Sequence, residues 1–391
     1  MASFEILFWL SLTLLFYCYI GYGLILFIRN EIKRIFYPFK TDDRFELLPV
    51  TLVVAAYNEE PVLLQKIKNC FEIDYPGHLF KIIFITDGST DGSAEIIRRH
   101  DSITLLHRTE RNGKSAALKR AMQFVQTPIV VFSDANSMLN PGCLKAIVRH
   151  YSNERVGGVA GEKKILQDGH SSAVGQAEGL YWQYESFIKK QEADFNTVVG
   201  AAGELFSIRT KLFQPGADDL ILDDFIFSVE VCLKGYKIEY EPCAFAMEAP
   251  SVSLADEEKR KIRIAAGAYQ SVSYLKHRMN IFKYPLLTVQ YFSRRLLRWI
   301  ACPLLLILIL ITNIGLVNQH YIFQYFLFGQ VIFYLFALAG RIFIAAGRRM
   351  GILNIPFYFM FMNVCLVKGF FNYISGRQTA LWERSIREAV E

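Results

Sequence analysis

The sequence predicts an α/β domain, a mostly parallel sheet flanked by helices, set between membrane-spanning helices. Three observations carry this expectation. Uncharged stretches lie at both ends, short apolar runs alternate with helical periods in the middle, and polar clusters fall where those runs stop. The 391 residues are 52% hydrophobic and 20% charged, whereas an ordinary soluble domain carries about 25% charge. With 12 Pro and 25 Gly, neither a disordered nor a collagen-like chain fits, and the uneven apolar excess excludes a single soluble globule. The net charge of +6 is explained by basic flanks of membrane spans rather than by nucleic acid as a partner. The 7 cysteines have neither disulfide-framework nor zinc-site spacing and are expected to be reduced core residues.

The first element, residues 1–40, is an anchor. Ile6 to Ile28 carry no charge, enough helix for a hydrocarbon core of about 30 Å. Arg29, Lys33, Arg34 and Lys40 follow the run rather than precede it, which argues against a cleaved signal and puts the carboxyl end in the cytoplasm. Residues 45–252 then form the α/β domain. Strands are expected at Val50–Ala56, Lys81–Ile85, Ile103–Leu106 and Ile129–Phe132. Helices are expected at Pro61–Phe71, Ser93–His100 and Ser115–Val125. Such alternation implies right-handed crossovers and a parallel sheet, whose ligands bind at the carboxyl ends of the strands. Gly161 to Asn196 are expected to supply lining loops.

Residues 253–297 read as amphipathic helices on the membrane surface. Between Asp256 and Leu275, the residues Ile262, Ala265, Ala266, Tyr269 and Val272 share one face. Residues 298–375 hold the remaining spans: Trp299–Val317, Tyr321–Leu338, and a weaker run Ile355–Ile374 that contains Asn363 and Lys368. Arg341, Arg348 and Arg349 lie between the last two runs and mark the inner side. The tail, 376–391, carries Arg377, Arg384 and Arg387, and its side of the membrane depends on whether the last run crosses fully.

Carboxylates recur at strand ends and turns: Glu59 with Glu60, Asp87 with Asp91, Asp134, and Asp223 with Asp224. Singly, each is the kind of residue that caps a helix or opens a turn. Three follow successive strands, so as a set they converge on one crevice. Other signatures fail. Asp87-Gly88-Ser89-Thr90-Asp91-Gly92 lacks dinucleotide-site spacing, Gly113-Lys114-Ser115 lacks the earlier glycine of a phosphate loop, and neither a metal-type His pair nor a serine nucleophile elbow occurs.

Ala55-Ala56-Tyr57-Asn58-Glu59-Glu60, Thr86–Asp91, Ser133-Asp134-Ala135-Asn136, Gly203–Arg209 and Leu222-Asp223-Asp224 resemble, in order, the motifs of family 2 glycosyltransferases. The similarity covers Leu52 to Gln270 and is greatest with the membrane-embedded branch of hyaluronan, cellulose and poly-N-acetylglucosamine synthases. The resemblance implies a GT-A-like (Rossmann-like) fold. It implies that Tyr57 and Glu59 line the uracil and ribose pocket, that Asp87 holds the base or ribose, and that Lys114 and Ser133 bind the nucleotide sugar. Asp134, with Asn136, would hold Mg²⁺ or Mn²⁺ on the diphosphate. Asp224 would be the general base, with Asp223 beside it, in a single inverting displacement, and Arg263 would support the reaction by stabilising the departing diphosphate.

Two positions depart from the family. The metal motif usually ends in a second Asp, which here is Asn136. The Gln-x-x-Arg-Trp box of the polymerising enzymes corresponds to Arg260-Lys261-Ile262-Arg263-Ile264, where Arg263 is kept and the Trp has become Ile264. Arg294 to Trp299 read as an interfacial anchor instead. The expected partners are therefore a nucleotide-sugar donor, with a UDP-sugar favoured, a lipid-linked or polysaccharide acceptor, and the lipid bilayer of the inner membrane. The alternatives are a processive synthase that exports its polymer, and a transporter subunit with a nucleotide-binding domain.

Overall fold

The computed structural model describes residues 2–37, 45–166, 173–251, 253–346, 351 and 354–377. Lys40, Arg348, Arg349, Arg384 and Arg387 lie outside the described residues. The chain divides into two compact units, one built from 32–166 and 182–249 and the other from 2–31, 173–181 and 250–377.

The first unit is an eight-stranded sheet: β1 Val50–Ala56, β2 Phe80–Asp87, β3 Ile103–Arg108, β4 Ile129–Asp134, β5 Met138–Leu139, β6 Val156–Ile165, β7 Phe206–Arg209 and β8 Lys237–Glu248. Its spatial order is β3-β2-β1-β4-β7-β6-β8-β5. The strands expected from the sequence are all present. β1 pairs in parallel with β2 and β4, and β2 with β3. Every residue of β1 is buried, as a central parallel strand covered on both faces requires. The other half is mixed. β7 runs antiparallel to β4 and β6, and β5 antiparallel to β8, while β6 and β8 are parallel. Four carboxyl ends of parallel strands thus share one edge with an antiparallel return.

Helices of the two units are numbered together along the chain. α1 Ala2–Phe16 and α2 Tyr22–Phe36 flank a π-helical segment, Tyr17–Gly21. Glu60–Phe71 (α3), Ser93–Arg98 (α4), Lys114–Met122 (α5) and Cys143–Val148 (α6) belong to the sheet unit. Then come α7 Ala173–Phe195, α8 Asp223–Leu233, α9 Leu254–Leu275, α10 Pro285–Tyr291, α11 Cys302–Leu316, α12 Tyr321–Ala345 and α13 Asn354–Ile374. One core joins Val50, Leu52 and Val54 to Leu63 and Ile67 of α3 and Leu144 and Ile147 of α6.

Residues 161–196 correct an expectation. They are not mainly loops, because Val156–Ile165 is a strand and Ala173–Phe195 a 23-residue helix. The cysteines are free, and Cys243 is exposed while the other six are buried.

In the second unit, among the described residues, four helices are long and apolar enough to cross a membrane: Ala2–Phe36, Pro285–Leu316, Tyr321–Ile344 and Asn354–Ile374. The second begins well before Trp299, through a π-helical stretch at Phe292–Ala301. Phe8 of α1 packs edge-on against Phe323 of α12, with ring centres 5.3 Å apart, beside Ile309 and Leu316 of α11. α9 and α13 approach closely at small residues, since a Cβ on Gly369 would fall 2.4 Å from that of Ala265.

The buried face of α9 coincides only in part with the one its apolar period marks, sharing Ala265 and Ala266 but adding charged residues. Glu257, Lys261, Ala265, Ala266, Ala268 and Leu275 are buried. Glu257 accepts hydrogen bonds from Ser251, Arg260 and Tyr358, and Arg260 also holds Glu178 at 2.5 Å. Burial opposes the Glu257 charge, but Arg260 and Lys261 outweigh it and hold its carboxyl well below the usual range. Lys368, the charge within the last span, pairs with Glu258 of α9.

β6 and β7 touch where Gly158 lacks a side chain. A Cβ there would sit 2.7 Å from the backbone oxygen of Ser207 and from Ile238 Cδ1. Gly158→Ala should therefore cost about 1–3 kcal/mol, seen as a lower Tm of the detergent-solubilised chain. An unchanged Tm would refute this close strand contact.

Candidate active site

The turns after β1 and β2 are locked together. Asn58 has φ +52°, a left-handed conformation that Asn tolerates better than most residues. Its Oδ1 accepts from the Thr90 N–H at 2.8 Å, and its own N–H donates to Ser89 Oγ at 3.2 Å. Next along the chain, the Glu59 N–H donates to Ser93 Oγ and the Glu60 N–H to Asp91 Oδ2, both at 3.1 Å. Glu60 in turn accepts from the Gly92 N–H at 2.8 Å. Asp91 and Ser89 therefore shape the wall, while Tyr57 and the buried Glu59 sit at its rim.

Asp87, the last residue of β2, is buried and accepts from the backbone N–H groups of Asn112 and Gly113 at 2.9 and 2.7 Å. These bonds fix the approach to α5. Gly113 takes φ +97° just before Lys114, the first residue of the helix. Gly88 has φ +69°, and a Cβ there would meet that of Arg111 at 2.6 Å. The guanidinium of Arg111 lies 3.8 Å above the centre of the Tyr57 ring, a cation–π contact that joins the first and third turns.

Lys114 Nζ reaches Asp134 Oδ1 at 2.5 Å. Gly203 closes over them: a Cβ on it would lie 3.0 Å from Lys114 Nζ and 3.1 Å from Asp224 Oδ2. Asp223 and Asp224 open α8, where each accepts the next backbone N–H, at 2.9 and 2.7 Å. Carboxylates at a helix N-terminus are favoured by the helix dipole. Burial opposes the Lys114 charge, but Asp134, Asp223 and Asp224 outweigh it and raise its pKa. Burial raises the Asp134 carboxyl, with Lys114 opposing. Asp224 is pushed up to about 7 by burial and by the like charges of Asp223 and Glu204, against the pull of Lys114.

Beneath these groups runs a buried polar network that the sequence did not reveal. Lys163 of β6 pairs with Glu204, and with Glu248 Oε2 at 2.7 Å. Glu248 Oε1 accepts from Ser137 Oγ at 2.6 Å. Lys66 of α3 donates to the Ser137 carbonyl, and to Ser133 Oγ at 2.9 Å. Burial lowers the pKa of Lys66, whereas Lys163 outweighs burial and lowers that of Glu204. Trp182 lies under Lys163 Nζ, 4.9 Å from its ring centre. Ser133 thus faces inward to this network, while Asn136 sits partly exposed in the turn beyond Asp134. Glu204 falls within a recognised motif, but a charged side chain buried in a strand, such as Lys163, has no sequence signal of its own.

The strand ends therefore bring together Asp87, Lys114, Asp134, Asp223 and Asp224, with Tyr57 and Glu59 in the adjoining wall. Arg263 lies on α9, in the other unit. Among the described residues no three His, Cys, Asp or Glu side chains are grouped to hold a metal ion.

Residues 51–215 match the family model for glycosyl transferase family 2. This part of the chain is similar to family 2 glycosyl transferases. The chain is also similar to enzymes named as synthases. A poly-β-1,6-N-acetyl-D-glucosamine synthase of Staphylococcus aureus (strain COL) is 26% identical over 238 residues, 58% of this chain and 56% of that one. A β-monoglucosyldiacylglycerol synthase of Nostoc sp. (strain PCC 7120) is 28% identical over 263 residues, 60% of this chain and 53% of that one. The chain spans about half the length of these curated relatives. A mannosyltransferase of Pyrobaculum calidifontis, solved with GDP-mannose and Mn²⁺, superposes with a TM-score of 0.70 over 95% of this chain and 100% of that one, at 19% identity. At that identity the likeness establishes a GT-A fold, as the sequence motifs implied.

Removing the ammonium between Glu204 and Glu248 strands two charges in the interior. Lys163→Met should destabilise the protein by about 3–5 kcal/mol, read by chemical denaturation of the solubilised chain. Lys163→Met combined with Glu204→Gln and Glu248→Gln should recover part of that loss. Equal stability of Lys163→Met and the parent would show that the network contributes nothing to holding the crevice.

Proposed function

We propose that the protein is a membrane-bound, inverting glycosyltransferase that moves a sugar from a nucleotide-sugar donor to a lipid-linked or polysaccharide acceptor. The observation that carries this reading is the meeting of Asp134, Lys114 and Asp224, from three separate elements, around Gly203. In this reading residues 45–252 are the catalytic domain. The wall formed by Tyr57, Glu59 and Asp87 receives the nucleoside, and Lys114 and Asp134 face the diphosphate, while Ser133 turns inward to Lys66 and backs Asp134.

Asp134 and Asn136 present one carboxylate and one amide carbonyl, hard oxygen donors suited to Mg²⁺ or Mn²⁺. With only these two, most of a cation's ligands would come from donor phosphates and water. Asp134 already holds the positive charge of Lys114 at 2.5 Å, so the position is built to face a cation. Asp134 and Asn136 would hold such an ion, whose positive charge would stabilise the leaving diphosphate. Asp224 accepts the acceptor hydroxyl proton as that oxygen bonds to the anomeric carbon and the bond to the diphosphate breaks. A carboxyl poised near neutrality suits a base at cellular pH. Asp223 supports it by adding like charge beside it.

The named products of the relatives, a poly-N-acetylglucosamine and a glucolipid, support an acceptor at a membrane and a UDP-sugar as donor. Arg29, Lys33 and Arg34 after the first span, and Arg294, Arg295 and Arg298 in the basic stretch of the second, support a cytoplasmic catalytic domain on the inner membrane. The pairing of Lys368 with Glu258 weakens the transporter alternative, which requires charges lining a path.

The test is a screen of nucleotide sugars against the solubilised protein with and without Mg²⁺ or Mn²⁺, scored by nucleoside diphosphate release. One donor should be turned over, and only with metal; no turnover with any donor and a supplied glycolipid acceptor would overturn the reading. Asp224→Asn should lower kcat by about 10²–10⁴-fold with little change in donor KM. In the parent, kcat/KM should fall as pH drops below about 7, because Asp224 takes up a proton there. A pH-independent rate between 5 and 8 would remove Asp224 as the base.

A further inference from the structure

Residues 259–382 contain 15 Lys and Arg and not one Asp or Glu. Part of that charge is met by acids outside the stretch, as Arg260 and Lys368 show. At the turn between α9 and α10 part of it lies at the surface. Lys276, His277, Arg278 and Lys283 are all exposed there.

The turn is built rather than loose. Arg278 and Met279 N–H groups donate to the Leu275 carbonyl at 2.9 and 3.0 Å, and Leu275 is buried. Asn280 then organises the apex: its Oδ1 accepts from the Phe282 N–H at 2.8 Å, and its carbonyl accepts from the Tyr284 N–H at 2.8 Å. These bonds present Phe282 outward with 94% of its surface exposed and Ile281 with 50%. Arg278 lies over Tyr274 and donates to its hydroxyl at 2.9 Å, and Lys283 lies over Tyr284. Beyond the apex, Leu286, Val289 and Phe292 are exposed at a spacing of three residues, one continuing stripe of helix. That helix is the span Pro285–Leu316. Its 32 residues measure about 48 Å, roughly the thickness of a bilayer with both headgroup layers. Covalent continuity thus sets the turn at the headgroups.

We propose that residues 276–292 form a binding surface for acidic phospholipids. Ile281, Phe282 and the Leu286–Val289–Phe292 stripe enter the interface, and Lys276, Arg278 and Lys283 meet lipid phosphates. Apolar side chains at the apex of a turn, ringed by cations in a stretch of sequence without Asp or Glu, match a negatively charged leaflet and suit neither water nor a basic protein partner. This inference rests on the membrane spans and is independent of the sugar-transfer reading.

The test uses the full chain in nanodiscs. Phe282→Trp should give added emission, over the parent chain, that brominated phosphatidylcholine quenches and aqueous iodide does not. Energy transfer from the introduced indole to dansyl-phosphatidylglycerol should exceed that to dansyl-phosphatidylcholine, at equal mole fraction, by about fivefold. Lys276→Gln, Arg278→Gln and Lys283→Gln together should bring that ratio close to one while bromolipid quenching persists. Quenching by iodide alone, or equal transfer to both lipids in the Phe282→Trp protein with its cations intact, would overturn the proposal.

Discussion

The crevice depends on holding more negative than positive charge at close quarters without losing its shape. Asp134, Asp223, Asp224, Glu204 and Glu248 are opposed by Lys114, Lys163 and Lys66. Lys114 is the pivot, because Asp134 binds it directly and Asp224 lies just across Gly203. Lys163 does the equivalent work one layer down, between Glu204 and Glu248. Ammonium groups on long stems supply the positive charge that these clustered carboxylates need. Removing either one strips its partners of compensation in a poorly solvated place, where an unpaired charge is most costly.

This arrangement explains why Asp224 differs from the other carboxylates. Asp87 accepts two backbone hydrogen bonds and is thereby committed to holding the turn before Lys114. Glu204 is committed to Lys163. Asp224 accepts the next N–H of its own helix and sits among like charges, and burial with those charges pushes it up to about 7. Environment rather than residue type separates a structural carboxylate from a reactive one.

Much of the sheet was legible because its first half is local: β1 to β4 alternate with helices, and each apolar run is bounded by polar turns. The carboxylates at those strand ends were legible for the same reason, since chain direction fixes where strands finish. The rest depended on contacts distant in sequence. β6, with Gly157, Gly158 and Gly161, has poor strand propensity, and it forms because those glycines let Ile238, Ser207 and Leu205 approach closely. The charged side of α9 reads as solvent-facing, yet Glu257 and Lys261 are buried because Glu178, Tyr358 and Arg260 lie against them. Apolar periodicity could not see that partnership. Lys66 and Lys163 were missed likewise, since nothing along the chain distinguishes a buried lysine from an exposed one.

The bridged turns after β1 and β2 carry a thermodynamic consequence. The side chains of Asn58, Glu60 and Asp91 hold the two loops to each other by accepting from backbone N–H groups of the opposite loop, so this rim is braced before anything arrives. Under the proposed function, a nucleoside bound there would forfeit little entropy in freezing the chain, and affinity would reflect shape and polarity directly. An inhibitor that mimics the nucleoside should gain from stiffness of its own rather than from flexible arms seeking a moving target.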